Sequence, residues 1–149
     1  MKNCSVDAAT ISAVAVDVLA TFMSESVSAQ SLPARPPGVT WEARVGLTGS
    51  VTGELVIRCS EAFARRAAAQ MLGTEAESDE VAQDALSELS NVVAGNVKGA
   101  LFADCALTTP TVTTQPHGAA PDPSVSVALA CGADRVDVAL FLTAGLGTR

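Results

Sequence analysis

Aromatic and histidine side chains are scarce in this chain, which has one His, no Tyr and 3% aromatic residues among its 149 residues. The single histidine, His117, lies in a Gly/Pro-rich segment, which disfavours a Ser-His-Asp or Cys-His catalytic group and rules out a histidine-rich metal site. The shortage of aromatic rings also removes the stacking platforms of a sugar-binding site. The core is therefore expected to be built from Val, Leu, Ala and Ile.

Basic residues are outnumbered, and the formal net charge is -7. An acidic surface repels phosphate backbones and anionic lipid surfaces, so we expect no nucleic acid partner and no membrane partner. No apolar run reaches the ~20 residues that cross a bilayer. Near the start, Ile11, Val14, Val18 and Phe22 are spaced as on one face of a helix, which favours a core helix over an export signal. We expect a cytoplasmic protein.

Nucleotide-binding and metal-binding motifs are also missing. The chain contains neither G-x-x-x-x-G-K-[ST] nor G-x-G-x-x-G, so no phosphate loop is visible. Its four cysteines, Cys4, Cys59, Cys105 and Cys131, show no C-x-x-C spacing. We interpret them as free thiols in a reducing compartment rather than as a zinc site or a disulfide framework.

Hydrophobic periodicity divides the chain into helices and hairpins. The predicted segments are a helix at 6–27, a linker at 29–40, a β-hairpin at 41–59, a short helix at 60–73, a long helix at 78–103, an extended segment around Pro110, a second hairpin beginning at 124, and a tail at 144–149. Ser60 and Gly73 are the expected first and last caps of the short helix. The order α-β-β-α-α-β-β-β predicts a single α/β (α+β) domain over 1–149, with long helices packed on a largely antiparallel sheet.

The long helix contains a polar stripe. On a helical wheel of DALSELSNVVAGNVKGAL, residues 84–101, one narrow face holds Asp84, Glu88, Asn91, Gly95 and Lys98, opposite a broad apolar arc. Glu88 and Asn91 are three residues apart, so their side chains are neighbours. Any surface helix carries a polar stripe, and Gly95 with Gly99 is also compatible with close helix packing. The pattern alone therefore identifies no function.

Two stretches in the middle of the chain carry a resemblance to a known family. VGLTGSVTGELVIRCSEAFARRAAAQMLG is similar to a glycine-punctuated hairpin followed by a short helix that ends in Met-Leu-Gly. DALSELSNVVAGNVKGAL matches a signature of an Asp or Ser, three residues, Glu, two residues and Asn, here Asp84, Glu88 and Asn91. Residues 41–101 thus resemble the CheC/CheX/FliY family of chemotaxis phosphatases, in particular its CheX-like members. Pro110 is the counterpart of a downstream family proline, at a shorter distance from Asn91 than is usual.

The resemblance implies a CheC-like two-layer fold and a substrate, the aspartyl phosphate of a CheY-like response regulator. It also implies that Asn91 orients the attacking water and that Glu88 pairs with a lysine of the regulator. Asp84, Gly95 and Lys98 are then expected to contact the docked partner. No cofactor and no metal ligand are expected in this chain, because Mg²⁺ would be held by the regulator.

The resemblance also bears on oligomeric state and leaves two functions open. We find no Glu-x-x-Asn in the first helix, so the chain is interpreted as a one-site member, and such members are typically homodimers joined through their sheets. The first hypothesis is a phosphatase. The alternative is a non-catalytic module that binds a response regulator or another signalling protein.

Overall fold

The computed structural model describes residues 8–30, 40–74, 78–114 and 123–144. The helices are α1 (Ala8–Met23), α2 (Glu61–Leu72) and α3 (Asp79–Leu101). The strands are β1 (Val27–Gln30), β2 (Trp41–Thr48), β3 (Thr52–Cys59), β4 (Ala106–Leu107), β5 (Thr111–Thr113), β6 (Val125–Cys131) and β7 (Asp134–Ala144). Within the described ranges, no helix is long and apolar enough to cross a membrane.

All seven strands belong to one sheet, in the order β1-β6-β7-β3-β2-β4, and β5 also pairs with β2. Every pairing is antiparallel. The two hairpins, β2–β3 and β6–β7, join through β3 and β7 at the centre of the sheet. The predicted α+β class with a largely antiparallel sheet is confirmed.

One face of the sheet and the three helices enclose the main core. In the second hairpin, Val125 pairs with Leu140, Val127 with Val138 and Leu129 with Val136. These six side chains all lie in or against the main buried cluster, as their alternation in the sequence predicts. Helix residues such as Ile11, Phe63 and Leu89 complete the same cluster.

The caps of the helices follow the local sequence. The Ser60 hydroxyl accepts a hydrogen bond from the N–H of Phe63 at the start of α2, and Gly73 ends that helix with a φ of 75°. Ser78 caps α3 in the same way through the N–H of Val81. Both caps of α2 that the sequence predicts are therefore confirmed.

Four predicted boundaries need correction. The long helix ends at Leu101 rather than at 103, because Phe102 leaves the helical conformation with a φ of -139° and a ψ of 53°. The first helix ends at Met23 rather than at 27, because Ser24 takes a left-handed φ of 55° and turns the chain. Val27–Gln30 then forms β1 against β6, so residues 29–30 are not linker. Ala144 is the last residue of β7 rather than the first of a tail. The remaining linker positions 31–39 and tail positions 145–149, as well as the predicted start at 6–7, lie outside the described residues.

The three cysteines in the described ranges, Cys59, Cys105 and Cys131, are buried and form no disulfide, as predicted, and Cys4 lies outside those ranges. The Cys131 thiol donates a hydrogen bond to Glu25 Oε2 at 3.1 Å. Burial, reinforced by this hydrogen bond and by the Glu25 charge, raises the pKa of Cys131 to about 12. Because only the thiolate is nucleophilic, Cys131 is chemically inert near neutral pH.

The other face of the sheet carries a second, small cluster made of Val56, Ala139 and Phe141, to which none of the described helices contributes. The Arg58 guanidinium lies over the Phe141 ring, 5.8 Å from its centroid. Arg58 also donates to Glu42 Oε2 at 2.6 Å, and Glu42 is only 5% exposed. Charged side chains that pair with one another thus cover this face, which we call the outer face.

Candidate functional site

The predicted polar stripe of α3 lies on the surface of the protein. The helix buries one face in the main core through Ala82, Ala85, Leu86, Leu89, Ser90, Val93, Ala94 and Val97. On the opposite side, Asp84, Glu88, Asn91 and Gly95 are exposed, and Lys98 is half-buried. The prediction that Glu88 and Asn91 face solvent near the middle of a long surface helix is confirmed.

The end of α3 is fixed to the turn of the first hairpin. Asp104, just beyond the helix, accepts hydrogen bonds from the Ser50 hydroxyl at 2.8 Å and from the Ser50 N–H at 2.9 Å. These two bonds are the main reason why the pKa of Asp104 is below its usual value. This contact ties the C-terminal end of α3 to the turn between β2 and β3, which gives the exposed stripe a defined position relative to the sheet.

Glu88 and Asn91 line one wall of an open cleft of about 300 Å³ between α3 and the chain that joins β4 to β5. Ser87 belongs to the same helical wall, and the facing wall consists of Leu107, Thr108, Thr109 and Pro110. The stripe is therefore more than a solvated helix face, because a second element stands opposite its two central residues.

The side chains of Glu88 and Asn91 form no hydrogen bond or ion pair with any other described residue, although carboxylates elsewhere are paired with arginine side chains. Asn91 can both donate and accept through its amide, and Glu88 presents a carboxylate. At three residues' separation on a helix their Cβ atoms are roughly 5–6 Å apart. One water molecule and one cationic group of a partner can therefore be held side by side at this cleft.

Gly95 has no packing role within the described chain. A Cβ built on Gly95 meets nothing within 4 Å, and the same holds for Gly99. The alternative that these glycines serve close helix packing is therefore not supported. Gly95 lies one turn beyond Asn91, and it leaves backbone open to an approaching surface beside the cleft.

The remaining two stripe residues stand apart from the cleft. Asp84 is exposed one turn before Glu88 but does not line the cleft. Lys98 donates from Nζ to the carbonyl oxygen of Ala103 at 3.2 Å, which satisfies a backbone group at the end of α3. Both positions remain predicted docking residues, and Lys98 has in addition this structural contact.

Sequence reasoning missed Ser87, Thr108 and Thr109, which line the cleft. Ser87 precedes Asn91 by four residues, so helical spacing could have placed it on the same side. For Thr108 and Thr109 no local signal exists, because their position depends on the pairing of the edge strands with β2. Pro110, which corresponds to the downstream proline of the family in the sequence comparison above, lies in the wall opposite Glu88 and Asn91.

Comparison with known proteins agrees with the resemblance that the sequence shows. Residues 42–132 match the family model described as chemotaxis phosphatase CheX. A search of curated proteins returned no significant match. Among solved structures, the chain is similar to the chemotaxis protein CheX from Vibrio vulnificus, at 21% identity and a TM-score of 0.77, over 95% of this chain and 100% of that one.

Two further structures extend the comparison. A CheC-like superfamily protein from Shewanella sp. PV-4 is 20% identical, with a TM-score of 0.73 over 97% of this chain and 100% of that chain. The CheX–CheY–BeF3–Mg²⁺ complex from Borrelia burgdorferi contains a chain that is 19% identical, with a TM-score of 0.72 over 91% of this chain and 97% of that chain.

The architecture is therefore a CheC-like α+β fold. Since the family model covers well over half of the sequence, the chain belongs to the CheX family.

Proposed function

We propose that this protein is a phosphatase that hydrolyses the aspartyl phosphate of a CheY-like response regulator. The observation that carries the proposal is the cleft in which the free side chains of Glu88 and Asn91 face the wall at 107–110. CheX family membership and the existence of a CheX–CheY complex among its structural neighbours support the choice of partner. The proposal implies a cytoplasmic location.

The residues of the cleft suit this reaction because an acyl phosphate is already reactive. Its hydrolysis needs a water molecule held in line with the scissile bond and stabilisation of developing charge. The Asn91 amide orients the water by hydrogen bonds and needs no shifted pKa for this. Glu88 pairs with a lysine beside the phosphorylated aspartate, which fixes the regulator against α3.

In this proposal the regulator supplies the aspartate that carries the phosphoryl group and the Mg²⁺ that neutralises its charge. This chain supplies the Asn91 amide, the Glu88 carboxylate and the shape of the cleft. Asp84, Gly95 and Lys98 lie along the same helix face and extend the docking surface on either side.

The test is the loss of labelled phosphate from a purified regulator, followed with and without this protein, together with a measurement of binding. Faster loss in the presence of the protein supports the phosphatase. Binding of the phosphorylated regulator without faster loss would overturn the phosphatase in favour of the non-catalytic binding module.

Gly95→Ala should separate stability from docking. In a helix interior Ala is more favourable than Gly by about 1 kcal/mol, and the added Cβ meets nothing within the described chain, so the free energy of unfolding should rise. The same Cβ should obstruct the regulator and weaken its binding, measured by titration.

Gly99→Ala is the matched control, because its Cβ is equally unobstructed but lies one further turn from Asn91. It should raise stability without weakening the regulator complex. Equal affinities for wild type and both variants would contradict a docking role for Gly95.

We further propose a homodimer in which the outer faces of two sheets pack together. This face carries three basic residues, Arg44, Arg58 and Arg135, and three acidic ones, Glu42, Glu54 and Asp137, whereas the whole chain has a net charge of -7. A locally balanced surface can meet a copy of itself without net repulsion. The Glu88–Asn91 cleft, on the helical side, stays accessible in such a dimer.

Light scattering is expected to give twice the mass of one chain at tens of micromolar. Ser126→Arg should reduce this to one chain, because Ser126 is exposed on the outer face, where it pairs with Ala139 across the sheet. The matched control is Thr21→Arg on the exposed side of α1, which should leave the dimer intact. A wild-type mass of one chain would contradict the dimer.

A further inference from the structure

The wall that faces Glu88 and Asn91 is a bulge in the edge of the sheet. Leu47 of β2 pairs with Leu107, whereas Arg44 pairs with Thr111. The two residues 45–46 of β2 therefore lie opposite the three residues 108–110, so one residue is extra on the outer strand. Such a bulge bends the strand and aims its side chains out of the ladder, and here the displaced residues line the cleft.

One residue pair holds the bulge in register. The N–H of Thr108 donates to the carbonyl oxygen of Gly46 at 3.0 Å, and the N–H of Gly46 donates to Thr108 Oγ1 at 2.8 Å. The side chain of Thr108 thus substitutes for the backbone carbonyl that a regular strand would offer. Pro110 lacks an N–H and cannot restore regular pairing in this stretch.

A Cβ at position 46 would force the side chain of Thr108 to move. An added Cβ would lie 2.9 Å from Thr108 Cγ2 and 3.1 Å from Thr108 Oγ1. Threonine has a single side-chain rotation that matters, and turning it away from such a Cβ would also carry Oγ1 out of the hydrogen bond. The Gly46–Thr108 contact is therefore a close fit whose loss lets residues 108–110 shift relative to α3.

We propose that Thr108 is a positioning residue for the phosphatase reaction, acting through its contact with Gly46 to set the distance between the 108–110 wall and Asn91. This inference rests on the proposed function. The hydroxyl is already used within the chain, so Thr108 does not touch the phosphoryl group through Oγ1. Its effect is on the alignment of the bound regulator with the water that Asn91 holds.

The consequence of losing this contact falls mainly on turnover. Glu88 still anchors the regulator when the wall shifts, so affinity changes little. Small misplacements of reacting groups, by contrast, lower rates by one to two orders of magnitude. A role limited to stability would instead lower the concentration of active protein and leave the rate constant per folded molecule unchanged.

The test compares Thr108→Val, which keeps the shape but removes Oγ1, with Thr108→Ser, which keeps Oγ1. For Thr108→Val we expect the saturated rate of phosphate loss per folded molecule to fall by about 10-fold, with affinity for the regulator within 3-fold of wild type. Thr108→Ser should retain most of the rate. Thr113→Val, the same substitution in β5 outside the bulge and outside the cleft, should match wild type.

A second pair of variants tests the contact itself. Gly46→Ala should lower the saturated rate in the same way as Thr108→Val, because its Cβ displaces Thr108. Adding Thr108→Ser to Gly46→Ala removes the Cγ2 atom that the Cβ meets first and should recover part of the rate, so the two effects should be non-additive. Additive losses would overturn the proposed coupling of these two residues.

Hydrogen exchange supplies a readout that does not depend on any regulator. The Gly46 amide, bonded to Thr108 Oγ1, should exchange faster in Thr108→Val and remain protected in Thr108→Ser and Thr113→Val. If wild type accelerates phosphate loss and Thr108→Val accelerates it equally, the positioning role is wrong and the phosphatase stands. If wild type itself does not accelerate phosphate loss, the proposed function fails and the positioning role with it, whatever the exchange rates.

Discussion

Asn91→Ala is expected to reduce the rate of regulator dephosphorylation by about 10²-fold, the usual effect of removing one positioned donor from a transition state. The amide is exposed at the cleft and bonded to no other described residue, so its removal leaves no buried group unpaired. Stability should stay within about 0.5 kcal/mol of wild type. Affinity for the phosphorylated regulator should change little, because Glu88 and the surrounding docking surface remain.

Asn96→Ala is the matched control for this variant. Asn96 is an exposed asparagine of the same helix, but its side chain donates to the carbonyl oxygen of Val92 and does not line the cleft. Its substitution should leave the rate of phosphate loss at the wild-type value. A comparable loss in both variants would indicate a general effect on α3 and would contradict a specific role of the Asn91 amide.

Glu88→Ala is expected to act first on binding. Removing one partner of a charged pair at a desolvated interface costs about 2–5 kcal/mol. The variant should therefore need much higher protein concentrations to reach half-maximal binding in a titration with the phosphorylated regulator. Wild-type affinity should fall as salt is added, and the dependence should be weaker in the variant, because salt screens charge–charge attraction.

Asp17→Ala makes the same change in net charge on the exposed face of α1, where no asparagine follows three residues later. It should bind like wild type, so any loss in Glu88→Ala can be assigned to position 88 rather than to total charge. If Glu88→Ala bound with wild-type affinity and were slowed only at saturation, the docking role of Glu88 would be wrong.

The hairpins and caps could be predicted from the sequence because their causes are local. Apolar residues at every second position of β7, Val136, Val138 and Leu140, indicate which face of the strand is buried. The structure places these side chains in the main core. Ser60 and Gly73 act on backbone groups within three or four residues of themselves. The stripe on α3 could be predicted for the same reason, since helical spacing alone brings Glu88 and Asn91 together.

β1 and the bulge could not be predicted, because long-range pairing determines both. Val27–Gln30 has one half-buried and three exposed residues, so its sequence carries no alternation that would distinguish a strand from a linker. The bulge at Thr108 depends on Gly46, which is distant in the sequence, and neither residue signals the contact by itself. The helical wall of the cleft was therefore predictable, whereas the facing wall required the structure.

The most direct test of the central claim is the single-turnover rate constant for phosphate loss, measured with this protein in excess over a phosphorylated CheY-like regulator. Saturation removes any contribution from weakened binding, so the measurement reports only on the hydrolytic step. We predict that wild type raises the rate constant well above that of the regulator alone. Asn91→Ala should lower this rate constant by about 10²-fold, or to the value of the regulator alone if the wild-type acceleration is smaller than that. Equal rate constants for wild type and Asn91→Ala at saturation would contradict the account.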